Sequence, residues 1–228
     1  MICWNLLRGD VRQQYRYGFY WLYLFFTLFY VFALRVMPAE WQSTVSQLII
    51  LTDPVLIGFV FMGAIILFER SEHVVNALSV TPIKIWQYLF SKVISLTLIA
   101  LLSSEAILLL SSLNQTIWTL VAIALGSTLF TLIGVILSSQ VSSLNGFVLL
   151  MVPTMIFAIL PPVLYLCGLD GWWQAFQPCV AILRLMQGME PIGTLCLLVL
   201  VLLAWIVPVA WLAAKSARLI MSTTIDKL

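Results

Sequence analysis

Long apolar runs separated by short polar stretches make up nearly the whole chain. A run of about 20 largely apolar residues is needed to cross a hydrocarbon core of roughly 30 Å. Six runs reach that length, at residues 19–37, 47–68, 87–112, 117–138, 147–167 and 193–214. The pattern predicts an all-α, polytopic integral membrane protein in which residues 1–228 form a single transmembrane domain, with no room for a soluble catalytic domain.

Composition agrees with this pattern and adds an orientation. Only 9% of the 228 residues are charged and the mean hydropathy is +1.10, whereas a soluble domain has about 25% charged residues. Lys and Arg concentrate on the cytoplasmic side of such proteins. With both termini in the cytoplasm, nine of the eleven Lys and Arg residues fall inside and two outside; the two are Arg35 and Arg184. We therefore expect a multi-pass protein of the plasma membrane, with a retained first span and no surface for nucleic acid.

The segment after the second run has a helical period of its own. Polar side chains recur at i, i+3, i+4 and i+7 on one side, and apolar side chains occupy the other. The polar set is Glu69, Glu72, His73 and Asn76, and the apolar set is Val74, Ala77 and Leu78. Pro82 disfavours helical angles at Thr81, so the segment should turn there. We expect a short amphipathic helix over 69–82 on the cytoplasmic surface, either a simple linker or a docking element for a soluble partner.

The order of these features resembles the permease subunits of type-2 ABC transporters, and most closely small drug-exporter permeases of the fluoroquinolone-exporter kind. The similarity lies in "NLLRGDVRQQYRYGF" near the N-terminus, in a span that ends in Phe-Glu-Arg, and in "ALSVTPIKIWQYLFSK" leading into the next span. The resemblance implies an interfacial helix over 1–18, a coupling helix over 69–82 and a re-entrant hairpin between spans five and six. It also implies that an ATPase meets the coupling helix at Glu69, Arg70, Glu72, His73 and Asn76.

Such a permease depends on partners for its energy source. The sequence contains no GxxxxGK[ST] phosphate-binding motif, so ATP and Mg would be bound by a separate ABC ATPase subunit. We expect no catalytic residue, no metal site and no cofactor in this chain. The expected partners are the ATPase, the lipid bilayer and a second permease half, in a homodimer or a heterodimer. The expected function is export of a hydrophobic or amphipathic drug, peptide or lipid-like substrate by alternating access.

Other classes fit the residues less well. A rhomboid-like protease needs a GxSG serine and an intramembrane histidine, but the sole histidine is His73. A metal-dependent lipid transferase needs clustered aspartates, and the aspartates here are scattered. An ion-coupled secondary carrier would show internal repeats and broken helices; Asp53-Pro54 and Pro153 are weak hints of breaks. Cys167 and Cys179 fall near the outer side, where they could form a disulfide or remain buried thiols.

Three charged residues lie in the outer part of the apolar spans. By the helical rise, Glu105 lies about 20 Å above Lys92, and Asp53 lies about 22 Å above Phe68; Arg35 falls near the outer end of the first span. One interpretation is structural: Arg35 pairs with Asp53, while a protonated Glu105 bonds to neighbours such as Ser104. The other interpretation is a substrate path in which Glu105 is a counter-charge for a cationic group.

Two further segments carry weaker signals. Small residues recur along one stripe of the fourth span, and this favours close helix packing; they are Ala122, Gly126, Gly134 and Ser138. Residues 160–191 between spans five and six are too apolar for a bare loop. We interpret them either as a partly inserted hairpin at the outer exit or as an aromatic surface anchor.

Overall fold

The computed structural model of the chain describes residues 2–72, 74, 84–109, 116–169 and 171–225. This part of the chain is helical and contains no strand. The α-helices are α1 (Ile2–Arg16), α2 (Phe19–Val36), α3 (Ala39–Ile50), α4 (Leu56–Ser71), α5 (Ile85–Leu108), α6 (Ile117–Ser139), α7 (Leu144–Leu166), α8 (Pro178–Gln187) and α9 (Ile192–Ile225). A π turn (Leu51–Val55) joins α3 to α4, and a 3₁₀ turn (Trp172–Ala175) precedes α8.

Six helices are long and apolar enough to span a membrane, which confirms the predicted six-helix fold. They are α2, the continuous α3–α4 unit, α5, α6, α7 and α9. The second span starts at Ala39, eight residues before the apolar run that predicted it. Polar residues such as Gln42 and Ser46 lie before the apolar run, but none of them breaks a helix. The helix therefore extends past the run on its N-terminal side.

Helix α6 forms the centre of the bundle, where it packs against α4, α5, α8 and α9. Glycines permit the close approach. A Cβ atom at Gly134 would lie 2.4 Å from the carbonyl oxygen of Phe59 on α4, and one at Gly126 would lie 2.8 Å from Val55. The close packing predicted for the small-residue stripe is therefore present, and its partners are α4 and the π turn.

Helices α6 and α7 are equally apolar but differently placed. In the 18-residue windows that best fit a span, 56% of α6 is buried within the protein and only 17% of α7. Helix α7 contains three prolines, and each removes a backbone donor. The carbonyl of Phe157, four residues before Pro161, accepts a hydrogen bond from the Gln177 side chain at 3.4 Å. A side chain thus takes the place of the absent amide, as an apolar environment requires.

Helix α8 lies inside the bundle, between α6 and α9. Its apolar side chains are almost completely buried: Val180, Ile182, Leu183, Leu185 and Met186. The Gln177 side chain caps its first turn by accepting from the amides of Cys179 and Val180. Just before it, Trp172 and Phe176 are exposed. The segment therefore has a buried half and an aromatic exposed half, and Cys167 and Cys179 are both free thiols.

Candidate functional site

Three segments meet at a buried lysine at the end of the bundle predicted to face the cytoplasm. The Nζ atom of Lys92, in the second turn of α5, lies 3.0 Å from Oδ1 of Asp10 on α1 and 2.5 Å from Oε1 of Glu69 on α4. Lys92 and Glu69 are each 1% exposed. We call Asp10, Glu69 and Lys92 the charge cluster. It joins the N-terminal helix to the end of the second span and the start of the third.

Hydroxyl groups complete the hydrogen bonding of the charge cluster. The Tyr88 hydroxyl donates to Oε2 of Glu69 at 2.7 Å, and the Ser91 hydroxyl donates to Oδ2 of Asp10. The Lys92 ammonium also lies 4.9 Å from the centre of the Tyr88 ring, within the range of a cation–π interaction. Each carboxylate therefore accepts from the lysine and from one hydroxyl. Buried charges are tolerated when they are paired and hydrogen-bonded in this way.

The N-terminal helix docks through one polar stripe. Gln14 follows Asp10 by four residues, so both side chains lie on the same face of α1. The Gln14 amide donates to the Ser95 hydroxyl at 2.7 Å, one turn above Lys92 on α5. Arg12 and Arg16 lie on the opposite, exposed face. Helix α1 is thus fixed to the third span by three hydrogen bonds, two through Asp10 and one through Gln14.

Two contacts lie next to the charge cluster, where α4 ends. Arg70 donates through Nη1 to the carbonyls of Ser138 and Val141, at 3.2 and 2.9 Å, and so ties α4 to the connection between α6 and α7. The Tyr17 hydroxyl donates to the exposed Glu72 carboxylate at 3.0 Å. Burial raises the pKa of Tyr17, and the Glu72 carboxylate acts in the same direction.

These positions change the interpretation of the predicted docking face. The surface position expected for Glu69 is wrong, because Lys92 draws its carboxylate into the bundle. Arg70 is half-buried and bonds to backbone, whereas Glu72 is exposed. His73 and Asn76, with most of the segment 69–82, lie outside the described residues. Their contact with an ATPase stays a prediction.

The second site is a single carboxyl within the second span. Asp53 lies in the π turn, is 7% exposed and has the Tyr30 hydroxyl of α2 close enough for an electrostatic interaction. The ion pairs in the described part of the chain involve Lys92 or Arg184, and neither residue reaches Asp53. A π turn inside an α-helix is frequently found at a functional site.

The expected pairing of Arg35 with Asp53 is wrong. Tyr30 and Leu34 are four residues apart on α2, so they share the face that packs against the bundle, and Leu34 is buried. Arg35 comes one residue later and is rotated out of that face, and its side chain is exposed. Tyr30 occupies the place beside Asp53 instead.

Glu105 also differs from the structural interpretation. It is half-buried on α5, and the Ser104 hydroxyl has no hydrogen-bond partner among the described residues, so the expected bond between the two is wrong. A role for Glu105 in a substrate path stays a prediction.

Sequence reasoning missed the charge cluster as a site. Lys92 was counted only as a cytoplasmic charge, and Asp10 only as a scattered aspartate. The signal was a helical spacing of polar side chains at the start of an apolar run: Tyr88, Lys92 and Ser95 at i, i+4 and i+7. Asp10 and Gln14 repeat that spacing on α1. The pattern shows which face of each helix is polar, but not that the two faces meet.

The fold and these sites define a class of protein. Six helices are long and apolar enough to span a membrane, the charge cluster is paired inside the bundle, and no group of His, Cys, Asp or Glu in the described residues could hold a metal ion. This is the architecture of a multi-pass membrane protein. The chain belongs to the fluoroquinolones export permease protein family, whose family model matches residues 2–215.

Individual relatives are similar over a shorter stretch. Fluoroquinolones export permease proteins from two strains of Mycobacterium tuberculosis, CDC 1551 and H37Rv, are each 30% identical to this chain over 95 residues. The matched stretch covers 42% of this chain and 40% of the length of each relative. Membership of the family thus depends on the family model, which spans most of the chain.

Proposed function

We propose that this chain is the membrane subunit of an ATP-driven exporter, paired with a separate ABC ATPase and with a second permease half. The ATPase binds ATP and Mg, and the permease moves a hydrophobic or amphipathic molecule out of the cytoplasm or inner leaflet. Membership of an export permease family and the six spans support the transport role. The absence of a phosphate-binding motif in the sequence supports a separate energy source.

The charge cluster is the observation that carries this proposal. Glu69 and Lys92 lie on either side of the segment 73–83, at the end of one span and the start of the next. Their 2.5 Å contact fixes the two ends of that segment relative to each other. Asp10 adds the N-terminal helix to the same joint. A force applied to the segment by an ATPase therefore moves α1, α4 and α5 together instead of bending one of them.

The substrate class follows from the surface and from the relatives. The outer faces of α2, α7 and α9 are apolar, which suits entry of a substrate from the bilayer. The named relatives export fluoroquinolones, which are amphipathic aromatic molecules. We propose a substrate of this kind, with both termini in the cytoplasm and the complex in the plasma membrane.

Co-purification tests the partner. A tagged permease is co-expressed with a candidate ABC ATPase, and the retained ATPase is measured for wild type and for Glu72→Lys. Because Glu72 is exposed beside the docking segment and Glu69 is structural, reversal at Glu72 alone should reduce retention by several-fold without loss of inserted permease. Glu40→Lys, an exposed reversal near the start of α3, is the matched control. Equal retention by both variants contradicts docking at this face.

Transport measurements test the energy source. Proteoliposomes holding permease and ATPase should accumulate a fluorescent fluoroquinolone such as norfloxacin only with hydrolysable ATP. An ion-coupled carrier is the second candidate, and the buried carboxyl of Asp53 is the observation that favours it. Uptake that follows an imposed ion gradient in vesicles without ATPase would support the carrier and overturn the proposal.

A further inference from the structure

The second span is interrupted at Asp53, and the sequence maintains the interruption. Pro54 has no amide hydrogen and cannot donate to the preceding turn. The hydroxyl of Thr52 donates to the carbonyl of Leu48 at 2.7 Å and lies 3.4 Å from that of Ile49. The Thr52 hydroxyl thus bonds to carbonyl groups at the point where the regular α-helical hydrogen bonding is interrupted. The π turn is therefore a built feature of the helix, and it places the Asp53 carboxyl at the break.

The two halves of this span are held differently. Below the break, α4 packs closely on α6: a Cβ at Gly58 would lie 2.9 Å from the Thr131 hydroxyl, and one at Gly134 would lie 2.4 Å from the Phe59 carbonyl. Above the break, α3 contacts α2, α5 and α8, and Gln47 lies 3.5 Å from Gln187 of α8. Relative movement of the two halves would be taken up at residues 51–55, where Asp53 lies.

Among the described residues, hydroxyl groups but no cation lie close to Asp53. The Tyr30 hydroxyl interacts with its carboxyl, and the Tyr23 hydroxyl, on the same face of α2, is close enough for electrostatic interaction and has no hydrogen-bond partner in that part of the chain. Leu51 and Val55, on either side in the turn, are fully buried. The cations of the described ion pairs lie elsewhere, and Arg35 is exposed. Tyr30 and Tyr23 are the titratable groups that the structure records facing Asp53.

A carboxylate in this position has a large desolvation penalty, and the Tyr30 and Tyr23 hydroxyls offset it only in part. Such a group takes up a proton and becomes neutral unless a cation is supplied. The neutral acid is therefore the form that fits this arrangement of the helices.

We propose that Asp53 is a proton-binding site at the break of the second span. The carboxyl takes one proton from water when the break closes around it, and releases that proton to water when movement at residues 51–55 exposes it. The inference goes beyond the proposed function, because an ATP-driven exporter does not need an intramembrane proton site. Its tests use the purified permease alone, so they can fail or succeed independently of ATPase docking.

Infrared spectroscopy detects the proton directly. The full chain is purified into nanodiscs, and its spectrum is recorded over a pH series and compared with that of Asp53→Asn. At the acidic end of the series we expect a carbonyl absorption of a protonated carboxylic acid that is missing in Asp53→Asn and displaced in Tyr30→Phe, which removes the hydroxyl that interacts with the acid. Glu105→Gln is the matched control, since it removes another carboxyl from the spans and should leave this absorption in place. An absorption unchanged in Asp53→Asn overturns the proposal.

Thermal unfolding over a pH series gives a second test. A proton held by Asp53 in the folded protein and lost in the unfolded chain makes wild type less stable as the pH rises through the range in which the carbonyl absorption disappears, and Asn, which resembles the neutral acid, lacks this dependence. The melting temperature of Asp53→Asn relative to wild type should therefore increase across that pH range. Equal pH dependence of the two proteins overturns the proposal. If Asp53→Asn does not accumulate, the displaced absorption of Tyr30→Phe decides, and no displacement counts against the site.

Discussion

The charge cluster and Asp53 are two ways of burying acidic groups in one membrane protein. In the cluster, one lysine lies between two carboxylates from different helices, and hydroxyl groups satisfy the remaining oxygens. At Asp53 a single carboxyl has tyrosine hydroxyls near it and no ion pair within the described residues. The first arrangement can remain fixed because its charges are paired. The second is balanced only while a proton is present, so it can change its state.

The comparison also separates a continuous from an interrupted part of the second span. The cluster joins three segments at one end, and α4 continues from it along α6 without a gap. Asp53 lies at the upper limit of that continuous region, where the α-helical pattern breaks. Paired charge therefore lies at the end of a regular helix, and unpaired charge lies at a break in the helical pattern.

Removal of the lysine should give the largest effect. Lys92→Met leaves Glu69 and Asp10 buried without a cation, and loss of one partner from a buried ion pair costs about 3–5 kcal/mol of stability. Unfolding in detergent, followed by circular dichroism, measures the change. Lys215→Met, the same substitution at an exposed position, is the control and should have little effect. Equal stabilities of the two variants would contradict the assignment of the cluster as a joint.

Replacement of the whole charge cluster tests whether its three residues act as one charge-balanced unit. When a buried charge group is exchanged for apolar residues of similar volume, most of the penalty disappears, because no unpaired charge remains. The triple variant Asp10→Leu, Glu69→Leu and Lys92→Met should therefore unfold later than Lys92→Met alone. If the triple variant is the less stable of the two, the three residues do not act as one charge-balanced unit.

Close packing between α4 and α6 gives the next effect. Gly134→Ala places a methyl group against the backbone carbonyl of Phe59, which cannot rotate away. Overpacking of this kind destabilises by about 1–3 kcal/mol. Gly193→Ala is the control, because nothing lies within 4 Å of its Cβ position and α9 gains a better helix former. Thermal unfolding should rank Gly134→Ala below wild type and Gly193→Ala at or above it.

Two tyrosine substitutions compare a buried with an exposed carboxyl at the scale of one polar contact. Tyr30→Phe removes a hydroxyl that interacts with buried Asp53 and should cost about 1 kcal/mol. Tyr17→Phe removes a bond to exposed Glu72, which water can replace, and should cost less. A denaturant series on both variants measures the difference. A larger loss for Tyr17→Phe would mean that the interaction of Tyr30 with Asp53 contributes little.

The smallest effect is expected at the opposite end of the bundle. Arg184 Nη2 lies 2.7 Å from Oε1 of Glu190, and both side chains are partly exposed. A pair in this setting contributes about 0–1 kcal/mol. Arg184→Gln should therefore change the melting temperature by little, and added salt should remove the change. A loss as large as that of Lys92→Met would mean that partial exposure does not distinguish the two ion pairs.

The sequence predicted what depends on local pattern. The length of each apolar run was enough for six spans, and the small residues of α6 were enough for close packing, because both follow from one helix considered alone. The start of the second span was not predicted correctly, because the apolar run begins only at residue 47, whereas the helix begins at Ala39. Helical geometry there is set by the absence of a breaker, not by hydropathy.

The sites depend on contacts between helices, and sequence spacing does not contain them. Glu69 belongs to a polar stripe with Glu72, which suggested an exposed face, but Lys92 on the next helix buries Glu69 alone. Arg35 is the cation nearest to Asp53 in depth, yet the one-residue offset from Leu34 turns it outward. The sequence therefore predicts the charge and the depth of each residue. To predict its partners, one must also know how each helix is rotated about its axis.

The charge cluster also sets an order for biosynthesis. Glu69 precedes Lys92 by 23 residues, and Asp10 precedes it by 82. Because synthesis proceeds from the N-terminus, both carboxylates are made before their shared cation. Helix α1 and the end of the second span can reach their final positions only when the third span has entered the bilayer. The first three spans therefore complete their assembly together.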